Sequence, residues 1–169
     1  MSWGAGCVQA ASACITPQCP AEDCDQSYPT PPGGTCPSQC DQCNNGNTEC
    51  EIQGDVGNEY IHQTIDCPEG FDCKLVCTGP DSCFDTVVNC PQDGSRQITC
   101  SSGWECANMV VNCTFGPCDL SCNYNGQQTC ANAVMNCGVE HCNLQCSGTV
   151  DIPPTQSCNG SCDCVQSGC

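Results

Sequence analysis

An Asx-Cys pair returns along this chain at a near-constant period. Asp66-Cys67, Asn89-Cys90, Asn112-Cys113 and Asn136-Cys137 stand 23, 23 and 24 residues apart. Aligned on that pair, four stretches share one anatomy: CEIQGDVGNEYIHQTIDC at 50–67, CKLVCTGPDSCFDTVVNC at 73–90, RQITCSSGWECANMVVNC at 96–113 and CDLSCNYNGQQTCANAVMNC at 118–137. A truncated fifth begins with CNLQC at 142–146. Units this short cannot bury an apolar face alone, so they must stack on one another.

Each unit opens on a five-residue segment with an aliphatic centre: Ile52, Leu75, Ile98, Leu120 or Leu144. Alternation at period two puts Cys73, Leu75 and Cys77 on one face, with Lys74 and Val76 on the other. A polar turn follows, then a second apolar stretch ending in Val-Val-Asn-Cys or a variant of it. Short runs bounded by turn formers predict strands rather than helices. The expected fold is all-β: a small disulfide-stapled β-solenoid of about 4–5 coils, each of about 23 residues, over 44–148. Irregular cysteine-rich caps or arms are expected at 1–43 and 149–169. Like residues then form columns. The Asx column reads either as a ladder of side-chain amides or as a turn-favouring residue after each strand.

Cysteine makes up 26 of the 169 residues, an even number, so every sulfur is expected to be paired. Such usage implies an oxidising compartment and a secreted or cell-surface location. With three Phe, three Tyr and two Trp, an ordinary core is out of reach. About a dozen cross-links, worth roughly 2–4 kcal/mol each, would replace it. In the first unit Gly54 stands in the second cysteine column and Tyr60 in the third, so both sulfurs vanish together. That predicts within-coil pairs Cys77–Cys83, Cys100–Cys106 and Cys122–Cys130. Arg96 replaces a first-column cysteine with no matching loss of Cys90 or Cys113. At least one bond must therefore join neighbouring coils or leave the repeat, and the remaining connectivity stays open.

Net charge is −17, from 19 acidic residues against Lys74 and Arg96. Nucleic acid and anionic membrane surfaces are excluded as partners, because no cationic patch exists to meet them. The acidity serves solubility, or divalent-cation binding along acidic edges. No transmembrane stretch is present, so membrane insertion is not expected. MSWGAGCVQAASACI lacks a basic leader region; a leader removed before Met1, or a longer precursor, is implied.

Chemistry-bearing motifs are scarce. His62 and His141 are the only histidines, and neither has a serine or carboxylate at a motif spacing, so no catalytic residues and no enzyme are expected. Cys36-x3-Cys40-x2-Cys43 and Cys162-x-Cys164 have zinc-like spacing, but disulfides are the expected use, with no metal and no cofactor. Sequons at Asn112 and Asn159 mark candidate N-glycosylation sites, and Thr30, Thr35 and Thr155 near prolines are candidate O-linked positions. Trp104 and Tyr124 fall in the turns of successive units; each is a candidate contact with a partner or a sugar, or else folds over its own coil.

The C-x3-C…C-x6-C units resemble the short cysteine-rich repeats of secreted proteins from algae and protists and, more distantly, the disulfide-braced β-solenoids of beetle antifreeze proteins. The resemblance covers roughly 50–146. The first likeness implies an extracellular wall or appendage role without a defined reaction. The second implies a ladder of Thr-x-Thr on a flat face, from which this chain departs: Thr64, Thr86, Thr99 and Thr129 fall at differing places in the coil. The expected function is structural and non-enzymatic, as the subunit of a glycosylated filament or surface appendage that self-associates head to tail. The alternative is a secreted protein that binds carbohydrate, Ca2+ or ice.

Overall fold

The computed structural model describes residues 30–92, 94–101, 103–124, 128–148, 151–158 and 160–169. The sequon residue Asn159 and the first 29 residues of the N-terminal arm lie outside the described residues. Among the described residues every regular element is a strand: β1 (Gln42–Asn44), β2 (Glu49–Gly54), β3 (Thr64–Asp66), β4 (Asp72–Cys77), β5 (Val87–Asn89), β6 (Arg96–Cys100), β7 (Val110–Asn112), β8 (Cys118–Asn123), β9 (Val134–Asn136), β10 (His141–Ser147), β11 (Thr155–Ser157) and β12 (Asp163–Ser167). The protein is a disulfide-rich β-solenoid of about five turns.

Each coil gives one longer strand to a seven-stranded sheet, ordered β1-β2-β4-β6-β8-β10-β12, and one three-residue strand to a five-stranded sheet, ordered β11-β9-β7-β5-β3. From β2 upward the pairing is parallel and in repeat register. Ile52, Leu75, Ile98, Leu120 and Leu144 stack in one column. Ile65, Val88, Val111 and Met135 stack in the facing one. Both columns are buried, with Leu75, Leu144, Val88, Val111 and Met135 at 0% exposure. The core is thus a thin slab between two sheets, built on these two aliphatic columns, extended by buried turn residues such as Met109 and Ala133, and closed at its margins by sulfur.

The turn between the two strands of a coil uses two left-handed residues, one residue apart. They are Tyr60 and His62, Cys83 and Asp85, Cys106 and Asn108, and Cys130 and Asn132, all with φ between 52° and 59°. Left-handed backbone costs an L-residue roughly 1–2 kcal/mol, least for Asn and Asp, whose short polar side chains bond locally. Hydrogen bonds between stacked turns offset that cost: His62 N to Phe84 O, Asp85 N to Ala107 O, and Asn108 N to Ala131 O, at 3.1, 2.8 and 2.8 Å.

The two ends differ. β1 runs antiparallel to β2 and covers the lower edge of the larger sheet, fastened by Cys36–Cys43 and Cys40–Cys50. The C-terminal segment is more regular than the expected cap. β11 pairs in parallel with β9, and β12 with β10, placing Cys164 beside Cys142. The coil therefore continues past 148, because Thr155-Gln156-Ser157 holds the strand register of Val134-Met135-Asn136 without a matching sequence.

Candidate functional site

Two families of disulfide line the stack. The first spans the turn inside a coil: Cys77–Cys83, Cys100–Cys106 and Cys122–Cys130 are each bonded. In the first coil the space is taken from above, since a Cβ on Gly54 would lie 3.1 Å from Cys83 Sγ and 3.3 Å from Ser82 Cβ. The second family crosses the corner from the end of one coil to the start of the next: Cys67–Cys73, Cys113–Cys118, Cys137–Cys142 and Cys158–Cys164. Cys146–Cys169 ties the chain end back to the last full strand.

Full pairing does not hold. Cys90 is buried and unbonded. Its corner partner would fall at the first-column position held by Arg96, which stands in register between Cys73 and Cys118. Arg96 is 1% exposed, and its Nη1 donates to the carbonyls of Gly94 and Phe115, so hydrogen bonds tie this corner where sulfur ties the others. Burial pushes the Cys90 thiol up to about 11, against the opposing pull of the Arg96 charge. The sulfurs of Cys90, Cys113 and Cys118 lie within 4.8 Å of one another. Those of Cys36, Cys40 and Cys43 are equally close, but disulfides take up all three, and Cys162 and Cys164 are also disulfide-bonded.

The Asx column is a ladder of side-chain hydrogen bonds. Asn89 Nδ2 donates to Asp66 Oδ1 at 2.8 Å, Asn112 Nδ2 to Asn89 Oδ1 at 2.9 Å, and Asn136 Nδ2 to Asn112 Oδ1 at 2.9 Å. Asn112, one of the two sequon residues, thus has the nitrogen that would carry a glycan engaged inside the ladder, while its neighbour Cys113 is bonded to Cys118. Beside the amides runs an outward column of Thr64, Val87, Val110, Val134 and Thr155. Two further threonines serve the interior, Thr86 Oγ1 donating to Tyr60 O and Thr129 Oγ1 to Gly103 O, while Thr99 lies half-buried on the outward side of β6.

Both histidines acquire a carboxylate that motif spacing does not show. His62 Nδ1 lies 2.7 Å from Asp85 Oδ2, and His141 Nδ1 lies 2.9 Å from Asp163 Oδ2. Each partner is about one repeat period away, so the coil stacks the pair. At 64% and 39% exposure, both imidazoles stand in water. Glu51 is nearly buried; burial works against its charge, but hydrogen bonds from Lys74 and Gln53 outweigh that and hold the carboxyl below its ordinary range.

Of the two turn aromatics, Trp104 is 43% exposed and available for contact. Tyr124 is not. It packs into the core at 8% exposure, its hydroxyl has no hydrogen-bond partner among the described residues, and burial pushes its phenol up to about 12. A concavity of about 280 Å³ opens at the first coil, lined by Gln39, Ile52, Tyr60, Gln63, Thr64, Ile65 and Asp66. No helix of the described residues is long and apolar enough to cross a membrane.

Comparison of the chain with protein-family models, with curated proteins and with solved structures finds no match.

Proposed function

We propose that this chain is a non-enzymatic extracellular structural protein, the repeating subunit of a disulfide-rich filament or surface appendage formed by head-to-tail self-association. One observation carries the reading: the stack ends on β1 and β3 at one side and on β11 and β12 at the other, so both sheets have terminal strands facing along the stacking axis. Terminal strands offer backbone groups to a further strand, and a contact between unlike ends that does not close generates a fibre. Dense cross-linking and two basic residues in the whole chain suit a protease-resistant external fibre. A disulfide count of this kind belongs to an oxidising compartment, and secretion is the route that provides one. A glycan, in this reading, sits at Asn159 rather than at Asn112.

Negative-stain imaging of native material, with gels run without reductant, tests this. Linear polymers are the expected result. Discrete monomers whose cysteines bond only internally would end the proposal.

A binding role is the second reading, favoured by the outward Thr-Val-Val-Val-Thr column beside the amide ladder. Carbohydrate, Ca2+ and ice are the candidate ligands. The amides already satisfy one another, which lowers what they can offer to a ligand. A glycan array, calcium calorimetry and a thermal-hysteresis measurement separate this reading from the first.

A further inference from the structure

The three sulfurs of Cys90, Cys113 and Cys118 form a cluster with one bond and one thiol, buried at 7%, 8% and 1% exposure. Cys90 and Cys113 are neighbours in the column that ends each coil: Asn89 pairs with Asn112 in the preceding position, and Cys90 N donates to Asn112 O at 3.0 Å. Residues paired across adjacent parallel strands are about 4.8 Å apart, within the Cα separation that a disulfide spans. Cys118 stands directly over Arg96 in the larger sheet.

We infer that this corner is an internal thiol–disulfide exchange site, in which Cys90 and Cys118 compete for Cys113. The Cys90 thiolate attacks Cys113 Sγ, the Cys113–Cys118 bond breaks, and Cys118 leaves as a thiolate. The proton that Cys90 released is taken up by Cys118, so bonds, protons and electrons balance without an external oxidant or reductant. In the first isomer the bridge joins the third coil to the fourth across a corner. In the second it joins the second coil to the third directly, and the guanidinium of Arg96 lies in the neighbouring position of the column to favour the departing Cys118 anion.

Burial of all three sulfurs hinders small thiols, so the exchange is confined to the chain. The same burial holds Cys90 protonated at neutral pH; with its titration near 11, on the order of one molecule in ten thousand carries the thiolate at pH 7. The exchange rate therefore rises about tenfold per pH unit between pH 7 and pH 10.

The test is a peptide map of the full chain without reduction. Native protein is held at pH 7 or pH 9.5, quenched in acid, and alkylated in denaturant. The expected map shows the label divided between Cys90 and Cys118, with a Cys90–Cys113 peptide whose yield is independent of protein concentration and appears faster at pH 9.5. A label confined to Cys90 at both pH values would overturn the inference. So would a map joining Cys90 to Cys7, Cys14, Cys19 or Cys24. A Cys118→Ser variant, refolded in an oxidised-glutathione buffer that takes up the two electrons, gives a second readout: Cys90 and Cys113 should then be joined and escape alkylation, and labelling of both would count against the site. If that variant does not fold, the wild-type map alone decides. Polymer formation does not enter either readout, so this inference and the filament proposal fail separately.

Discussion

Arg96 fills the column position from which, at the corners of the other coils, a cysteine reaches back to the residue in the place of Cys90. Arg96→Cys should restore the missing corner bridge, and the variant should yield no alkylated Cys90 when denatured without reductant. A loop this short would contribute about 2 kcal/mol. The gain should be smaller than that, because the carbonyls of Gly94 and Phe115 lose their donor. A denaturant titration measures the net change, and persistence of the Cys90 thiol in the map would show that the corner geometry is not that of its neighbours.

Alkaline pH should weaken the fold through two buried acids. The Cys90 thiol is raised from 9.0 to about 11, and the Tyr124 phenol from 10.0 to about 12, both by burial. Each group keeps its proton longer when folded than when unfolded. The stability this represents is whole below the unfolded value and is lost as pH rises through the folded one. Cys90 therefore acts between about pH 9 and 11, with a loss on the order of 2–3 kcal/mol, and Tyr124 acts between about pH 10 and 12. Denaturant midpoints across this range should fall less steeply in Cys90→Ser than in the parent chain. Parallel curves would mean that the thiol is reached by water.

The amide ladder should show positional energetics. Asn112 makes two of its bonds, one upward and one downward, whereas the described ladder gives Asn136 one amide bond, to Asn112. At about 0.5–1.5 kcal/mol per bond, Asn112→Ala should cost about 1 kcal/mol more than Asn136→Ala. Equal losses would show that the column is a turn preference and not a ladder. Intact mass of the native protein should also show no glycan on Asn112, whose Nδ2 is held by Asn89.

Much of the stack was legible in the residues because one repeat period is one turn of the coil. A spacing of 23 residues brings Asp66 under Asn89 and Leu75 under Ile98, so columns read by alignment are columns in space. The joint loss of cysteine at Gly54 and Tyr60 carried the within-coil bridges for the same reason. The pairing of His62 with Asp85 had the same period and was hidden only because catalytic motifs are sought at short spacing.

Other features depend on how the path bends between strands, which the repeat does not encode. Whether a coil-ending sulfur bonds upward, across the corner or not at all turns on the few ångströms separating Cys90, Cys113 and Cys118, and on the guanidinium that fills the sixth residue after Cys90. Whether Tyr124 faces outward or inward is decided by packing against the core, where the ring is 8% exposed. Period and alternation are properties of the backbone, repeated identically in every coil and so written into residue order. The corners and turns are settled by packing, where each coil meets a different neighbour and one substituted side chain redirects a bond.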